Sequence, residues 1–336
     1  MRRKPRLKKR DVFIAVLFCA LTAAGVLLGI PWLEERNKKP EPRGDLSLRY
    51  ADETATFDGE AYRLRNELTA ILVMGIDRGS GKENAPSYLQ YLSGGQADFL
   101  RLVVIDPTEK TLWQIEIDRD TMTPITVLGT LGGRVGRRTT QICLSHGFGD
   151  GKEQSCELTA EAVSNLLFHV PVKHYAALNL DGVSVLNDLL GGVTVTLEDD
   201  FSAFDPAMTQ GATLTLQGRQ AEIFVRGRMY VGTGTNEARM ARQQQYLSQI
   251  TGLLDQKLRD DRDFAGTLFD ALSLYLVTDM SRTALINEVW KARDYSRPPV
   301  VKIAGTHQIG DDGYMEFWAD EDALKQTVLS LFYTKQ

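Results

Sequence analysis

Four arginines and no lysine occupy the stretch from Phe224 to Gln245, FVRGRMYVGTGTNEARMARQQQ. The residues around the first pair predict a short strand, on which Arg226 and Arg228, two apart, point to the same face. The second pair, Arg239 and Arg242, follows a turn over residues 233–236 and lies in a predicted helix. Guanidinium groups present forks of donors that match phosphate oxygens, so this stretch has the composition of a phosphate or pyrophosphate site.

The predicted helix places Arg239, Arg242 and Gln243 on one stripe with Tyr246 and Ile250. Because the stripe becomes apolar further along, its arginines stand where side chains that face the core are expected. Burying a charge without a partner costs roughly several kcal/mol, so inward arginines require an anion or a carboxylate. Free N–H groups at the start of the helix would add donors for a phosphate. The alternative is a solvated basic strand followed by an ordinary helix face.

Acidic residues mark the ends of three predicted strands upstream. Asp77 follows the apolar run 70–75, Asp98 precedes the strand 100–105, and the strand 111–117 stops at Asp118-Arg119-Asp120-Thr121. A sheet that gathers charged groups at one edge is a common way to build a site.

Strand and helix patterns alternate along most of the chain, which predicts an α/β fold. The predicted strands are 55–57, 61–64, 70–75, 100–105, 111–117, 175–180, 193–197 and 300–303. The predicted helices are 158–168, 182–190, 247–258, 264–276, 281–293 and 320–332.

The N-terminal region has the pattern of a membrane anchor. Val12 to Ile30 is almost unbroken apolar sequence, and as a helix it would span about 28 Å. Seven basic residues among the first ten predict a cytoplasmic N-terminus and an extracytoplasmic main domain. A cleaved signal peptide is the alternative. The predicted organisation is a basic cytoplasmic tail over 1–11, a transmembrane helix over 12–32, an extracytoplasmic linker over 33–54 and an extracytoplasmic domain over 55–336, whose C-terminal part is helical.

The charge distribution argues against a nucleic-acid partner. The 336 residues include 39 basic and 44 acidic side chains, for a formal charge of −5. All acidic residues follow position 10, so the remainder holds 32 basic and 44 acidic residues and carries −12. Affinity for DNA arises mainly from neutralising phosphates, which an acidic body does not do.

Six short motifs follow one another between about residue 70 and residue 250. They are Gly75-Ile76-Asp77-Arg78, Ala97-Asp98, Asp118-Arg119-Asp120-Thr121, Asp188-Leu189-Leu190-Gly191-Gly192-Val193, Val225-Arg226-Gly227-Arg228 and Arg239-Met240-Ala241-Arg242-Gln243-Gln244. Their order and spacing resemble those of the LytR-CpsA-Psr family of cell-wall proteins.

The resemblance implies a central mixed β-sheet flanked by helices, in a domain that moves a polyprenyl-pyrophosphate-linked glycopolymer onto peptidoglycan through a phosphodiester. The glycopolymer would be of the teichoic acid or capsular polysaccharide type, and Mg²⁺, held by Asp77 and Asp98, would assist. The pyrophosphate ligands implied in this way are Arg119, Arg226, Arg228, Arg239, Arg242 and Gln243. Arg119, Asp98 and Asp120 would form the catalytic set, with Asp120 acting as base for the acceptor hydroxyl, as a helix cap or as the partner of an arginine.

The sequence departs from the family pattern at three places. Gln96 stands where the family usually has Arg, Asn236 replaces an Asp, and Gln141-Ile142-Cys143 occupies the place of a Lys-hydrophobic-Asn element. These departures keep two alternatives open. One is a non-catalytic scaffold that binds the lipid pyrophosphate, and the other is an envelope-linked transcriptional attenuator.

Cys143 and Cys156 both follow the predicted anchor, in a compartment where disulfides persist. We predict that they pair, which would stabilise the domain by roughly 3 kcal/mol in the chain-entropy model. Two free buried thiols are the alternative. The four histidines lack the spacing of metal ligands.

Overall fold

The structure is a computed structural model that describes residues 54–57, 59–77, 94–129, 132–227, 231–232, 236–261 and 263–336. The predicted transmembrane helix lies outside these residues, and none of the helices within them is long and apolar enough to cross a bilayer.

Strands and helices alternate along the described chain, as predicted. The strands are β1 Thr54–Phe57, β2 Glu60–Leu64, β3 Thr69–Ile76, β4 Ala97–Asp106, β5 Thr111–Ile117, β6 Met122–Leu128, β7 Arg134–Gln141, β8 His174–Asn179, β9 Val193–Thr196, β10 Thr213–Leu216, β11 Leu276–Thr278, β12 Val301–Lys302, β13 Gly305–Ile309, β14 Met315–Ala319 and β15 Tyr333–Lys335. The helices are α1 Leu144–Gly147, α2 Glu153–Leu166, α3 Asp181–Leu189, α4 Arg219–Arg226, α5 Asn236–Asp260, α6 Phe264–Leu272, α7 Arg282–Ala292 and α8 Glu321–Phe332.

The chain divides into two compact units. The sheet unit contains the described residues up to Ile76, then 94–176 and 294–336. The helical unit contains Asp77 and residues 177–293.

The part of the central sheet that lies in the sheet unit consists of the first half of β8, then β3, β4, β5 and β12, in that order. β3, β4 and β5 are antiparallel neighbours, whereas β12 runs parallel to β5, so the sheet is mixed. Residues Ile71 to Met74 of β3 are completely buried. A strand covered on both faces has a continuous apolar sequence, which explains why this strand is evident from the sequence. The predicted α/β fold with a central mixed sheet is therefore confirmed.

Two hairpins of the sheet unit were not predicted. β6 and β7 pair antiparallel, and Thr126 of β6 donates through Oγ1 to Glu161 Oε1 of α2 at 2.9 Å. β13 and β14 also pair antiparallel, with Gly305 opposite Ala319. A Cβ at Gly305 would collide with the backbone of Trp318, so this close pairing requires glycine. β13 is exposed along its whole length and lacks the apolar alternation by which a strand is recognised.

The helical unit contains α3 to α7 and the antiparallel β9–β10 hairpin. The alternation predicted for β9 is confirmed, because Val193 and Val195 are buried while the threonines between and after them are exposed. α5 joins the helix predicted after the turn at residues 233–236 to the helix predicted over 247–258, whereas the predicted helix 264–276 ends at Leu272, before β11.

The strand predicted around Phe224 and Val225 is wrong. The chain there forms α4, and Ala221, Phe224 and Val225 are its buried residues. Their spacing of three and four residues is that of a helix face. Gly218, with a positive φ of 49°, precedes the helix, and Gly227 follows it. The predicted strand began at Phe224, and the three helical residues from Phe224 to Arg226 are too few to show the helical period.

Candidate functional site

Arg119 is the centre of a polar cluster in the sheet unit. Its Nη1 donates to Asp98 Oδ1, and its Nη2 donates to Gln96 Oε1 at 2.7 Å. The same Nη2 lies 3.5 Å from Cys143 Sγ, and Nε lies 3.4 Å from Asp120 Oδ1. Two carboxylates and two neutral acceptors therefore fix the direction of one guanidinium group. We call these five residues the Arg119 cluster.

The sheet register brings this cluster together. β4 and β5 are antiparallel with Leu100 opposite Ile117, so the start of β4 lies beside the end of β5. Asp98 lies two residues before Leu100 and Arg119 two residues after Ile117, at this edge. The turn after β5 is closed by Asp118, whose Oδ1 accepts the Asp120 N–H at 2.8 Å. The predicted grouping of acidic residues and arginine at the sheet edge is therefore present for Asp98, Arg119 and Asp120.

Burial and charge shift the pKa values in the cluster. Burial lowers the pKa of Arg119, but the sulfur of Cys143 and the carboxylates of Asp98 and Asp120 outweigh it, so the net shift is upward. Burial raises the pKa of Asp120, and Arg119 offsets only part of that effect. Burial likewise raises the pKa of the Cys143 thiol to about 12. Arg119 is thus a permanent cation, and at neutral pH its charge is balanced by carboxylates rather than by a thiolate.

The disulfide predicted between Cys143 and Cys156 is wrong, because the two buried cysteines are not disulfide-bonded. The two sulfurs have different partners. Cys143 Sγ faces Arg119, whereas Cys156 Sγ in α2 lies 3.9 Å from His146 Nε2.

His307 adjoins the turn that carries Arg119. Its Nε2 lies 2.9 Å from Asp118 Oδ2, and its ring packs on Phe317 with 4.8 Å between the ring centroids. Sequence reasoning missed this residue because 189 positions separate His307 from Asp118. The unpredicted β13–β14 hairpin is what brings the two together.

Arg242 is the centre of a second cluster, in the helical unit. Its side chain is 6% exposed, and its Nη1 donates to Asp199 Oδ2 at 2.6 Å. Nη2 donates to the carbonyl oxygen of Gly227, and the guanidinium carbon lies 5.4 Å from the centre of the Phe201 ring. The prediction that an arginine of this helix faces inward and meets a counter-charge is confirmed. The partner is the carboxylate of Asp199, which no sequence motif had indicated.

The other arginines predicted to bind pyrophosphate have varied surroundings. Arg226 ends α4, is 43% exposed and pairs with Glu222 Oε1 at 2.7 Å. Because it lies on a helix, the strand face predicted for Arg226 and Arg228 is wrong, and Arg228 itself lies outside the described residues. Arg239 is half-buried in α5. Gln243 donates from Nε2 to the carbonyl oxygen of Val225 at 3.3 Å, which ties α5 to α4.

Residues 39–331 match the model of the LytR_cpsA_psr family. The chain belongs to this family. It is 26% identical over 280 residues to the polyisoprenyl-teichoic acid–peptidoglycan teichoic acid transferase TagU of Halalkalibacterium halodurans. The matched region covers 82% of this chain and 81% of TagU.

Two solved structures are similar in fold. Protein gbs0355 of Streptococcus agalactiae matches with a TM-score of 0.58 and 20% identity, over 78% of this chain and 87% of that chain. TagT bound to LI-WTA matches with a TM-score of 0.55 and 20% identity, over 79% of this chain and 89% of that chain.

The family motif Asp188 to Val193 has a structural role in the helical unit. Asp188 Oδ1 accepts the N–H of Gly218 at 2.7 Å and so holds the start of α4. Gly192 has a φ of +93°, and a Cβ there would collide with Gln217 and Thr215. The motif therefore fixes the helix that ends in Arg226.

Two aspartates of the family motifs were predicted to hold Mg²⁺. Asp98 lies in β4 directly after Ala97, which pairs with Ile76 at the end of β3. Within the described ranges, no three carboxylate, histidine or cysteine side chains group as metal ligands. Mg²⁺ typically needs only one or two carboxylates and completes its shell with water and phosphate oxygens, so the donor types fit. The magnesium site stays a prediction.

Proposed function

We propose that this member of the LytR_cpsA_psr family is a membrane-anchored phosphotransferase that moves a polyprenyl-pyrophosphate-linked glycopolymer onto peptidoglycan. The observation that carries the proposal is the Arg119 cluster, a permanent cation whose direction is fixed by four side chains at a sheet edge. Similarity to the teichoic acid transferase TagU of Halalkalibacterium halodurans supports a glycopolymer of the teichoic acid type.

The chemistry suits the residues of the cluster. An acceptor hydroxyl attacks the phosphorus that carries the glycan, a new P–O bond forms, and the bond to polyprenyl phosphate breaks. Negative charge develops on the phosphoryl oxygens and on the leaving group. Such a transfer depends on positioned positive charge more than on a protein nucleophile. Arg119 supplies that charge in a fixed direction, with no reorientation during the reaction.

The charge balance of the cluster supports a divalent cation. Arg119 is surrounded by Asp98 and Asp120, and Asp118 lies in the same turn, so three carboxylates accompany one guanidinium group. A pyrophosphate would be repelled by this surplus of negative charge. We propose that Mg²⁺, held by Asp77 and Asp98, is bound during turnover. When bound, such a cation neutralises phosphate charge.

Gln96 is compatible with turnover. The missing cation at this position is the strongest argument for a scaffold without activity. Its Oε1, however, accepts a hydrogen bond from Arg119 at 2.7 Å, so the amide helps to direct the arginine that remains.

A transfer assay with the full chain in detergent tests the proposal. The substrates are a short-chain polyprenyl-pyrophosphate disaccharide, peptidoglycan oligomers and Mg²⁺, and the readout is release of polyprenyl phosphate together with labelled peptidoglycan. Loss of a charged hydrogen bond costs about 1.5–3 kcal/mol. Arg119→Ala is therefore expected to slow release by about tenfold or more.

Arg134→Ala is the matched control, because Arg134 is 42% exposed and pairs with Glu161 on α2. Its activity should equal that of the wild type, and chelation of Mg²⁺ should abolish release. Lipid binding without release in the wild type would favour the scaffold. Release that is unchanged in Arg119→Ala would overturn the proposed role of the cluster.

A further inference from the structure

His307 and Asp118 form a hydrogen-bonded pair beside the turn that contains Arg119. Asp118 is rigidly placed, because its Oδ1 accepts the Asp120 N–H at 2.8 Å and its carbonyl oxygen accepts the Thr121 hydroxyl at 2.6 Å. Its second oxygen, Oδ2, lies 2.9 Å from His307 Nε2. The carboxylate thus holds one nitrogen of the imidazole from a fixed position.

This hydrogen bond sets the tautomer. A carboxylate only accepts hydrogen bonds, so Nε2 must carry the proton that it donates to Asp118. In the neutral ring Nδ1 is then the unprotonated nitrogen with a free lone pair. Among the described residues Nδ1 has no hydrogen-bond partner, and the His307 side chain is 49% exposed. A ring whose base nitrogen is free and reachable from solvent is in the state that proton abstraction requires.

The hairpin fixes the ring beside the Arg119 cluster. His307 and Phe317 are opposite each other in β13 and β14, and their rings pack together. The Phe317 N–H donates to the carbonyl oxygen of Asp120 at 2.8 Å, so the hairpin is bonded to the turn that contains Arg119.

The charges that face His307 come from that same turn. They are Asp118, which binds the ring directly, and Asp120, whose pKa His307 lowers slightly against the upward effect of burial. On the hairpin itself the charged neighbour is Glu316. It lies opposite Gln308 on the other face and accepts from Gln308 and from the Trp318 indole.

We infer that His307 is the general base of the transfer and that Asp118 is its positioning residue. The substrate class is an alcohol, namely a sugar hydroxyl of the acceptor. Nδ1 takes the hydroxyl proton as the oxygen forms its bond to phosphorus, the P–O bond to polyprenyl phosphate breaks with its electron pair, and the imidazolium then releases the proton to solvent. This inference rests on the proposed function.

Asp120 is less suited to this step, although the sequence left it as an alternative base. It is 7% exposed and lies 3.4 Å from Arg119, so its carboxylate already serves as the partner of that cation. The sequence also left open a helix cap and a partner for an arginine, and the contact with Arg119 agrees with the partner role.

The test is the pH dependence of polyprenyl phosphate release for the full chain and for His307→Gln. A general base acts only in its unprotonated form, so wild-type activity should rise with pH as the base loses its proton. His307→Gln should lower the rate by about 100-fold or more and remove this rise. Asp118→Asn should lower the rate by a smaller factor, because the ring keeps its base but loses the charge that orients it.

Two further variants separate catalysis from folding. Gln308→Ala changes the next residue of the same strand, whose side chain lies on the other face, and should keep both rate and pH profile. His307→Ala should bind the lipid substrate as the wild type does, and added imidazole should restore part of its rate. A His307→Gln enzyme with the wild-type rate and profile would overturn the inference, as would a slow variant that keeps the wild-type rise with pH. A wild type that releases nothing in the presence of lipid, acceptor and Mg²⁺ would instead refute the proposed function.

Discussion

Arg119 shows how a single side chain depends on neutral neighbours as well as charged ones. Asp98 and Asp120 balance its charge, whereas Gln96 and Cys143 fill the remaining directions of the guanidinium group without adding charge. Gln96 and Cys143 stand at two of the positions where this chain departs from the family pattern. Because both contact Arg119, the two departures lie in the same cluster.

Cys143 provides a prediction for a single thiol. Only the thiolate form of a cysteine reacts with alkylating reagents. Because the pKa of Cys143 is raised to about 12, the fraction of this side chain that is a thiolate at neutral pH is about a thousandfold smaller than for a free cysteine. Iodoacetamide should therefore modify Cys143 very slowly in the native protein. After denaturation without reductant, mass spectrometry should find Cys143 and Cys156 both alkylated. A free cysteine-containing peptide is the control, and a disulfide-linked peptide carrying both residues would contradict the structure.

At the scale of residues, the sequence motifs identified side chains that lie close together because they are near in the sequence or because strand pairing aligns them. Asp98, Arg119 and Asp120 lie within three residues of paired strand positions, so a motif contains enough information to group them. Asp199 and His307 escaped prediction because each meets its partner from a distant element. Asp199 is 43 residues from Arg242, and no local pattern indicates that contact.

At the scale of elements, burial explains part of what could be predicted. β3 and β5 were identified because buried strands have apolar sequences, and α8 because its buried residues repeat with helical spacing. β7 and β13 are largely exposed, and their residues are those of an ordinary polar loop. The hairpin that carries His307 was therefore invisible to pattern analysis, although it is needed for the inferred catalytic pair.

Helix α7 contains a buried carboxyl group that should couple stability to pH. Glu288 is 1% exposed, its Oε1 lies 3.7 Å from Lys291 Nζ, and its Oε2 has no hydrogen-bond partner among the described residues. Burial raises the pKa of Glu288 to about 9, and Lys291 opposes this shift only in part. The folded state therefore keeps the proton that the unfolded state loses near pH 4.5.

It follows that the free energy of unfolding should fall as pH rises between about 4.5 and 9, since the folded state binds more protons in this window. The slope from one group is at most about 1.4 kcal/mol per pH unit. Glu288→Gln keeps a neutral side chain and should remove this contribution, as measured by urea denaturation at pH 5, 7 and 9. Glu321→Gln, at a 71% exposed side chain, is the control and should retain the wild-type slope. Equal slopes for wild type and Glu288→Gln would show that Glu288 does not carry the proton.

At the scale of the whole molecule, positive charge is concentrated in the first ten residues and the rest of the chain is acidic. The first ten residues hold seven basic side chains, and the remaining 326 carry a formal charge of −12. Under the proposed function, anionic lipid would attract the basic tail, whereas peptidoglycan and a phosphate-containing glycopolymer would meet an acidic domain. The anionic substrate would then be bound by arginines at particular sites and not by a general positive surface.

The predicted anchor gives the last test, because the proposed substrate is attached to a lipid and the domain must stay close to the membrane. The full chain should remain in the membrane fraction after washing with high salt and with alkaline carbonate, since an apolar helix of 19 residues is held by hydrophobic transfer and not by charge. A chain that lacks residues 1–32 should be released by the same treatment.

The orientation of the anchor can be tested separately. Protease added to intact spheroplasts should digest the domain after residue 33 and spare the tail, as the basic N-terminus predicts. A mature chain that is found in the medium and begins after the apolar run would establish the cleaved signal peptide instead. In that case the lipid substrate itself would have to bring the enzyme to the membrane.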